Sequence, residues 1–379
     1  MNSEQDEQHY ESSGQRQSRL FCSASFLPAL IAFVFAIGLG MLTLRRAEAQ
    51  KVPALPEMIT PETKAAIDRG MSYLARTQSR NGSWRAQGAF STQTGYPCVM
   101  TSLAGLALAA GGNTPIEGKY AKRVRQAADY ILKRANRTGL IAGMRNTSRP
   151  MYGHGFSMLF LAEIYGMEPN PTRQKQIRNV LQKAVQLTSQ AQSKDGGWYY
   201  TPDSHTDEGS VTVTQIQGLR ACRNAGVKVP KSTIDKATTY IQKCQQKDGG
   251  IAYRLGMNGS RPAITAAAVA TMYNAGEYEN PVAHGALKFT LRHVRKQKKD
   301  PWQAYRGHSY YGMLYASQAV WFSGDQNWQD LFPQMRSALL KKQQDDGSWQ
   351  GDNVGRVYGT AVALLILQLP NQYLPILQR

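Results

Sequence analysis

Two histidines have the placement of acid–base groups. His154, in Met151-Tyr152-Gly153-His154, and His308, in Arg306-Gly307-His308, each follow a glycine at the start of a nearly uncharged stretch. An imidazole titrates near neutrality, so such a pair can serve as acid and base or as half a metal site; a satisfied histidine at a helix start is the alternative. The run Asp203-Ser204-His205-Thr206-Asp207-Glu208 adds Asp207 and Glu208 as candidate catalytic acids, while the same run can simply complement a helix dipole. Tyr96, Tyr152, Arg261, Tyr305, Tyr310, Tyr311 and Tyr358 complete the candidates as ligand-binding residues. Their phenols offer ring faces to a cation or hydroxyls to a polar partner. Of the four cysteines, none forms a C-x-x-C pair, which excludes a zinc ribbon or thioredoxin-type motif, and Cys98 reads as a small core residue. No metal site and no cofactor is predicted.

The elements that must hold these residues are legible as a repeat. Gln78, Gly82 and Trp84 recur at the same offsets as Gln192, Gly196, Trp198 and as Gln343, Gly347, Trp349. Gln245, Gly249 and Ile251 keep the frame with isoleucine; Ala135, Gly139 and Ile141 keep it without the glutamine; Phe289 to Trp302 is a blurred sixth copy. A charged amphipathic helix precedes each copy, over about 61–78, 118–135, 172–191, 231–246, 281–297 and 328–344. An apolar, small-residue-rich helix follows each, over about 97–110, 152–165, 210–225, 263–275, 308–323 and 356–369. Several of these end at glycines (Gly111, Gly166, Gly226, Gly276, Gly324) expected to cap them in the left-handed conformation. Six wet and six buried helices in alternation are satisfied by two concentric rings, the buried ones inside. The predicted fold is therefore an all-α, α/α toroid of six inner and six outer helices. Its pocket is expected where the loops feeding the inner helices converge, and the candidate residues above fall there.

Composition bounds the rest. Hydrophobic residues at 42% and charged ones at 19% over 379 residues exclude disorder and a mini-protein. The 45 Lys and Arg against 26 Asp and Glu give +19, but they are dispersed, with no run longer than Lys296-Gln297-Lys298-Lys299. That dispersion argues against nucleic acid and fits weak attraction to any polyanion or anionic membrane. Residues 1–20 form a polar tail, 21–49 a hydrophobic segment with the uncharged run Phe26 to Leu44, and 50–379 the toroid. The run is near the ~20 residues of a spanning helix, yet Ala47-Glu48-Ala49 has the form of a cleavage site, so signal peptide and membrane anchor both stay open. Either implies an extracytoplasmic location, with the membrane a partner if the segment is retained.

The Gln-x3-Gly-x-Trp element after a Tyr-Leu or Tyr-Ile helix end resembles the QW motif of squalene and terpenoid cyclases, whose toroid is shared by protein prenyltransferase β-subunits and complement thioester domains. Over about 60–370 the chain is similar to exported bacterial proteins with prenyltransferase and squalene oxidase repeats, a group also matched by Met151-Tyr152-Gly153-His154-Gly155-Phe156 and by Pro370-Asn371-Gln372-Tyr373-Leu374-Pro375-Ile376. The resemblance implies an isoprenoid or other lipidic ligand in an aromatic-rimmed central cavity. The chain departs from the family's chemistry. It has no Asp-x-Asp-Asp acid cluster; Arg306-Gly307-His308 stands where the prenyltransferase zinc site has Asp-x-Cys, and Tyr358 where it has a histidine; Cys98 lacks the glutamine of a thioester. The leading expectation is a cyclase-like protein that binds such a ligand, with its transformation left open. The rival is a non-catalytic scaffold for an envelope protein, glycan or polymer, and bulky side chains filling the ring would favour it.

Overall fold

In this computed structural model the described residues are 56–88, 96–142, 148–297 and 300–378. The description below concerns the compact unit Leu55–Arg379. The hydrophobic segment and its cleavage-like site lie outside the described residues. No described helix is long and apolar enough to cross a membrane.

Among the described residues twelve α-helices alternate as the repeat predicts. The outer set is α1 (Pro61–Thr77), α3 (Ala121–Leu132), α5 (Pro171–Gln190), α7 (Lys231–Lys243), α9 (Pro281–Arg295) and α11 (Asp325–Leu340). The inner set is α2 (Pro97–Ala110), α4 (Pro150–Tyr165), α6 (Gly209–Asn224), α8 (Pro262–Ala275), α10 (Ser309–Phe322) and α12 (Arg356–Leu367). Local chemistry sets several starts. Pro61, Pro171 and Pro281 open their helices behind Thr60, Asn170 and Asn280, whose side chains accept first-turn N–H groups at 3.2, 3.0 and 3.0 Å. The inner helices bury most of their residues; in α2 all fourteen are buried. Each inner helix packs on the next and α12 packs on α2, so the ring closes. Among the described residues there is no strand, only isolated bridges such as Ala135 with Ile141 and Gln343 with Trp349.

The repeat motif is the joint between neighbours. Gln78, Gln192, Gln245 and Gln343 each donate from Nε2 to their own loop's glycine carbonyl and to a carbonyl in the first turns of the next outer helix, at 3.0 Å to Arg123, 2.9 Å to Thr233, 2.9 Å to Val282 and 2.9 Å to Ala66. The last of these joins repeat six to repeat one. The orphan carbonyls at the outer-helix ends go to tryptophan instead: Trp84, Trp198 and Trp349 donate from Nε1 to the oxygens of Leu74 (2.9 Å), Thr188 (2.7 Å) and Leu339 (2.8 Å). The glycine is obligatory because it is left-handed and its missing Cβ faces backbone; at Gly347 a Cβ would lie 2.7 Å from the Arg69 carbonyl. The predicted caps divide. Gly226 and Gly276 are left-handed and Gly324, also at positive φ, begins α11, whereas Gly111 and Gly166 keep negative φ and Gly112 supplies the turn after α2.

Candidate functional site

The repeat fixes which residues line the mouth. The backbone N–H of each motif's tryptophan or isoleucine is bound by the following inner helix: Thr101, Thr212, Thr265 and Thr360 accept from Trp84, Trp198, Ile251 and Trp349 at 3.0, 3.0, 2.9 and 3.0 Å. In repeat two His154 takes this post, its Nδ1 accepting from Ile141 at 3.1 Å. Two residues before each acceptor stand Val99, Tyr152, Ser210, Ala263 and Tyr358, and the shared Tyr-Gly pair places Tyr311 in the same register of α10. All but Val99 are partly exposed, and of these all but Ala263 lie between buried flanks, so these six positions form the inner rim.

His154 is thereby removed from the chemistry predicted for it. It is fully buried, and its Nε2 lies 2.9 Å from Thr188 Oγ1. That hydroxyl already donates to the Ala184 carbonyl, so Nε2 carries the proton and the ring is neutral with both nitrogens engaged. Burial pushes its pKa down to about 4. His308 is exposed at the N-cap of α10. The structure does not bring the two histidines together: one is a staple in the wall, the other sits in solvent.

The acidic pair is likewise committed to structure. Asp207 is buried and accepts from Ser193 Oγ at 2.8 Å, beside the outer layer. Glu208, fully buried, caps α6, accepting from Val211 N (2.7 Å) and Ser210 N (2.8 Å) and from the Ser210 hydroxyl. Tyr152 reaches the same group, its hydroxyl 2.6 Å from Ser210 Oγ and 3.4 Å from the carboxylate.

The tyrosines of three repeats lie close enough to act on one another electrostatically. The Tyr311 hydroxyl is buried without a hydrogen-bond partner, and burial raises its pKa well above the usual phenol value, with Tyr315, Tyr152, Glu208 and Tyr358 adding to the shift. Tyr152 belongs to repeat two, Tyr311 to repeat five and Tyr358 to repeat six, so these phenols gather from opposite walls. One layer down, Gln217 of α6 donates to Gln318 of α10 at 3.2 Å and accepts from Tyr315 at 3.1 Å. The helices α6 and α10 are not neighbours in the ring, so this contact bridges the axis. Of the remaining candidates Tyr310 reaches the tyrosine group, its ring centroid 6.5 Å from that of Tyr358. Tyr305 is buried against Gly312 and His293, Tyr310 packs on Trp302 at 4.7 Å between centroids, and Tyr96 is the left-handed N-cap of α2. Arg261 is exposed at the start of α8.

The other end of the ring is aliphatic and is closed by the chain itself. Leu103, Leu106, Phe156, Leu159, Leu314 and Leu365 face Leu369, Leu374, Ile376 and Leu377 around a cavity of about 30 Å3. That is room for a water molecule or two, against the several hundred Å3 of an ordinary ligand pocket. Trp321 Nε1 donates to the Leu377 carbonyl at 2.8 Å, and Ile376 N donates to Glu163 at 3.3 Å. Burial pushes the Glu163 carboxyl up to about 7. This tail went unread in the sequence as part of the interior, although Leu374-Pro375-Ile376-Leu377 is an apolar run just past the last helix. Among the described residues no group of three His, Cys, Asp or Glu is placed to hold a metal ion.

No protein-family model matches the chain, and no curated protein does. Solved structures do. The chain is similar to the type II terpene cyclase MstE from Scytonema at 14% identity and a TM-score of 0.58, covering 83% of this chain and 99% of that one. A glycosidase solved with glucose matches at 13% identity and 0.58, over 85% of this chain and 100% of that one. A GH76A alpha-1,6-mannanase from a Salegentibacter species matches at 8% and 0.59, over 82% and 99%. At these identities the likeness establishes the fold: the chain is an α/α toroid of the architecture shared by terpene cyclases and toroidal glycosidases. Its chemistry must be read from its own residues.

Proposed function

We propose that this protein is a non-catalytic toroidal scaffold, working outside the cytoplasm, that engages its ligand on the outer surface of the ring. The observation that carries this reading is the hydrogen-bonded contact of Gln217 with Gln318 and Tyr315 across the axis, above a cavity of about 30 Å3. The candidate acids and bases support it: His154 is sealed, and Asp207 and Glu208 are occupied in holding loops and helix starts. Native mass spectrometry of the full-length protein, with solvent extraction and challenge by squalene and geranylgeraniol, tests it. The scaffold reading expects an apo mass and no uptake; a stoichiometric isoprenoid overturns it.

One observation favours a lipidic ligand as second reading. The aliphatic end of the axis is filled by the chain's own Leu374, Ile376 and Leu377, and a variant of the similar MstE was solved with geranylgeranyl dihydroxybenzoate as substrate, at 13% identity and a TM-score of 0.56. For this chain such a ligand requires the tail to leave.

A further inference from the structure

The end of the ring that the tail closes carries the apolar residues the surface leaves in water. Among the described residues the exposed large hydrophobic side chains are Ile116 (46%), Tyr278 (44%) and Tyr373 (55%), and all three lie at this end, in the loop after α2, the loop after α8 and the tail after α12. Two of them border one loop. Asn113 folds it, donating to the Leu108 carbonyl at 2.9 Å and accepting from Tyr120 N at 2.8 Å, and Ile116 stands exposed within the turn. Tyr373 packs on the same loop, its ring 3.2 Å from where a Cβ of Gly112 would lie.

The flank beside this loop is cationic. No long run of charge forms, yet between Gln78 and Lys194 sixteen Lys and Arg stand against four Asp and Glu. Three of those acids are engaged: Arg173 holds Asp129 at 2.6 Å and Glu168 at 3.0 Å, and Glu163 is buried under the tail, accepting from Ile376 N. Glu117 alone keeps an exposed, unpaired carboxylate. Lys119 and Lys122 follow the loop, and Arg125 is tied to it by Nε, which donates to the Pro115 carbonyl at 3.0 Å. Lys122 and Lys133, three turns apart, share a face of α3, and Lys175 and Lys183 are exposed on α5. None of these four lysines has an acceptor among the described residues. The turns packed on this flank also omit an acid used elsewhere. In repeat six Asp346 accepts from Ser348 N at 3.0 Å and Oγ at 2.6 Å; in repeat one Asn81 accepts from Ser83 N at 3.1 Å and Oγ at 2.8 Å, so the geometry is kept without the charge. The rings here, Tyr120 and Tyr130, are buried and covered by Lys119 and Arg134, which leaves no stacking platform for bases or sugars.

We infer that this corner of repeat two, with the flank formed by α3 and α5, lies against an anionic phospholipid membrane, Ile116 and Tyr373 entering the headgroup region and Lys119, Lys122, Arg125 and Lys175 meeting the phosphates. A soluble polyanion would satisfy the cations but leave the isoleucine and tyrosine in water. The run Phe26 to Leu44, under either of its readings as signal or anchor, also brings the chain to a bilayer. The inference goes beyond the scaffold reading: an isoprenoid in the axis would overturn that reading and leave this surface as it is.

The test places the environment-sensitive fluorophore NBD on Ile116→Cys in full-length protein carrying Cys22→Ser, since Cys98, Cys222 and Cys244 are buried. The labelled protein is reconstituted in nanodiscs of phosphatidylcholine, with or without phosphatidylglycerol. Emission should rise about two-fold or more when phosphatidylglycerol is present, and the same label on Tyr373→Cys should follow it. On Gln329→Cys, exposed on α11 three repeats from α5, it should stay constant. Lys119→Gln, Lys122→Gln and Lys175→Gln together should remove about half of the rise or more. Lys243→Gln, Lys247→Gln and Lys288→Gln, which take equal charge from repeats four and five, should leave it unchanged. Equal emission at position 116 in the two kinds of disc overturns the surface, as does an equal rise at position 329 or an equal loss from the two triple variants. Calorimetric binding of polygalacturonate or a single-stranded oligonucleotide that the first triple variant abolishes, with the label dim in both discs, would assign the flank to a soluble polyanion and overturn the membrane.

Discussion

A histidine and a glutamate buried in the same inner helix pull stability in opposite directions with pH. His154 has a folded-state pKa depressed from 6.5 to about 4, so its contribution is complete above about 6.5 and is lost as pH falls through 4. Glu163 is raised from 4.5 to about 7, so its contribution is complete below about 4.5 and is lost as pH rises through 7. Each shift corresponds to about 3 kcal/mol between the ends of its window. Urea denaturation across pH 4 to 8 separates them: Glu163→Gln should abolish the decline on the alkaline side, and His154→Thr the decline on the acid side. Threonine is the informative substitute because it holds the equivalent post in four other repeats. If His154→Thr leaves the acid limb unchanged, the histidine is not the staple its geometry implies. His154 also shows where residue-level reading stops. Its type and its glycine neighbour suggested catalysis, and only the partner of Nδ1, a backbone N–H thirteen residues earlier, shows that it does a threonine's work.

At the scale of elements, the ring is held by joints that each repeat makes to the next. Gln343 is the one that closes it, bonding the Gly347 carbonyl and, 277 residues away in sequence, Ala66. Gln343→Ala should lower unfolding stability by about 1–3 kcal/mol, since two carbonyls lose a donor in a half-buried site. Gly347→Ala should cost more, because a Cβ there meets the Arg69 backbone at positive φ, where no rotamer relieves it. Both are read by chemical denaturation. Equal, small effects from the pair would show that the ring is closed chiefly by α12 packing on α2. The periodicity located every one of these helices, and their described ends agree to within a few residues. Which atoms joined them was less legible: the glutamine's reach to the next outer helix and the tryptophan's bond to its own follow from the ring's curvature, which no single repeat contains.

At the scale of the whole molecule, what decides between ligand-filled and ligand-free interiors is the tail after α12. Residues Leu374, Ile376 and Leu377 seal the aliphatic end, and Asn371 fastens the segment to the Ala110 carbonyl at 3.1 Å. Deleting Tyr373–Arg379 exposes Leu103, Leu106, Phe156, Leu159, Leu314 and Leu365, and should turn a protein that ignores N-phenylnaphthylamine into one that binds it at about one per chain. Fluorescence titration at constant protein reads this, and squalene should compete. A truncated protein that stays folded and dark would rule out an apolar ligand beneath the tail. A bright intact protein would instead favour the lipidic reading.

The sequence by itself determined the architecture. Period and polarity of the helices, with the glutamine, glycine and tryptophan at fixed offsets, admit one closed arrangement of wet helices around dry ones, because each dry helix must be covered on all sides. It also led to the expectation that Tyr152, Tyr311 and Tyr358, among other candidates, stand where the loops feeding the inner helices converge. Tertiary structure alone decided whether the ring is hollow. That depends on distances across the axis between helices that are not neighbours, on the glutamines that span it, and on a tail that folds back far from its nearest residues in sequence. None of these leaves a periodic trace, since each is a contact between repeats and not a property of one.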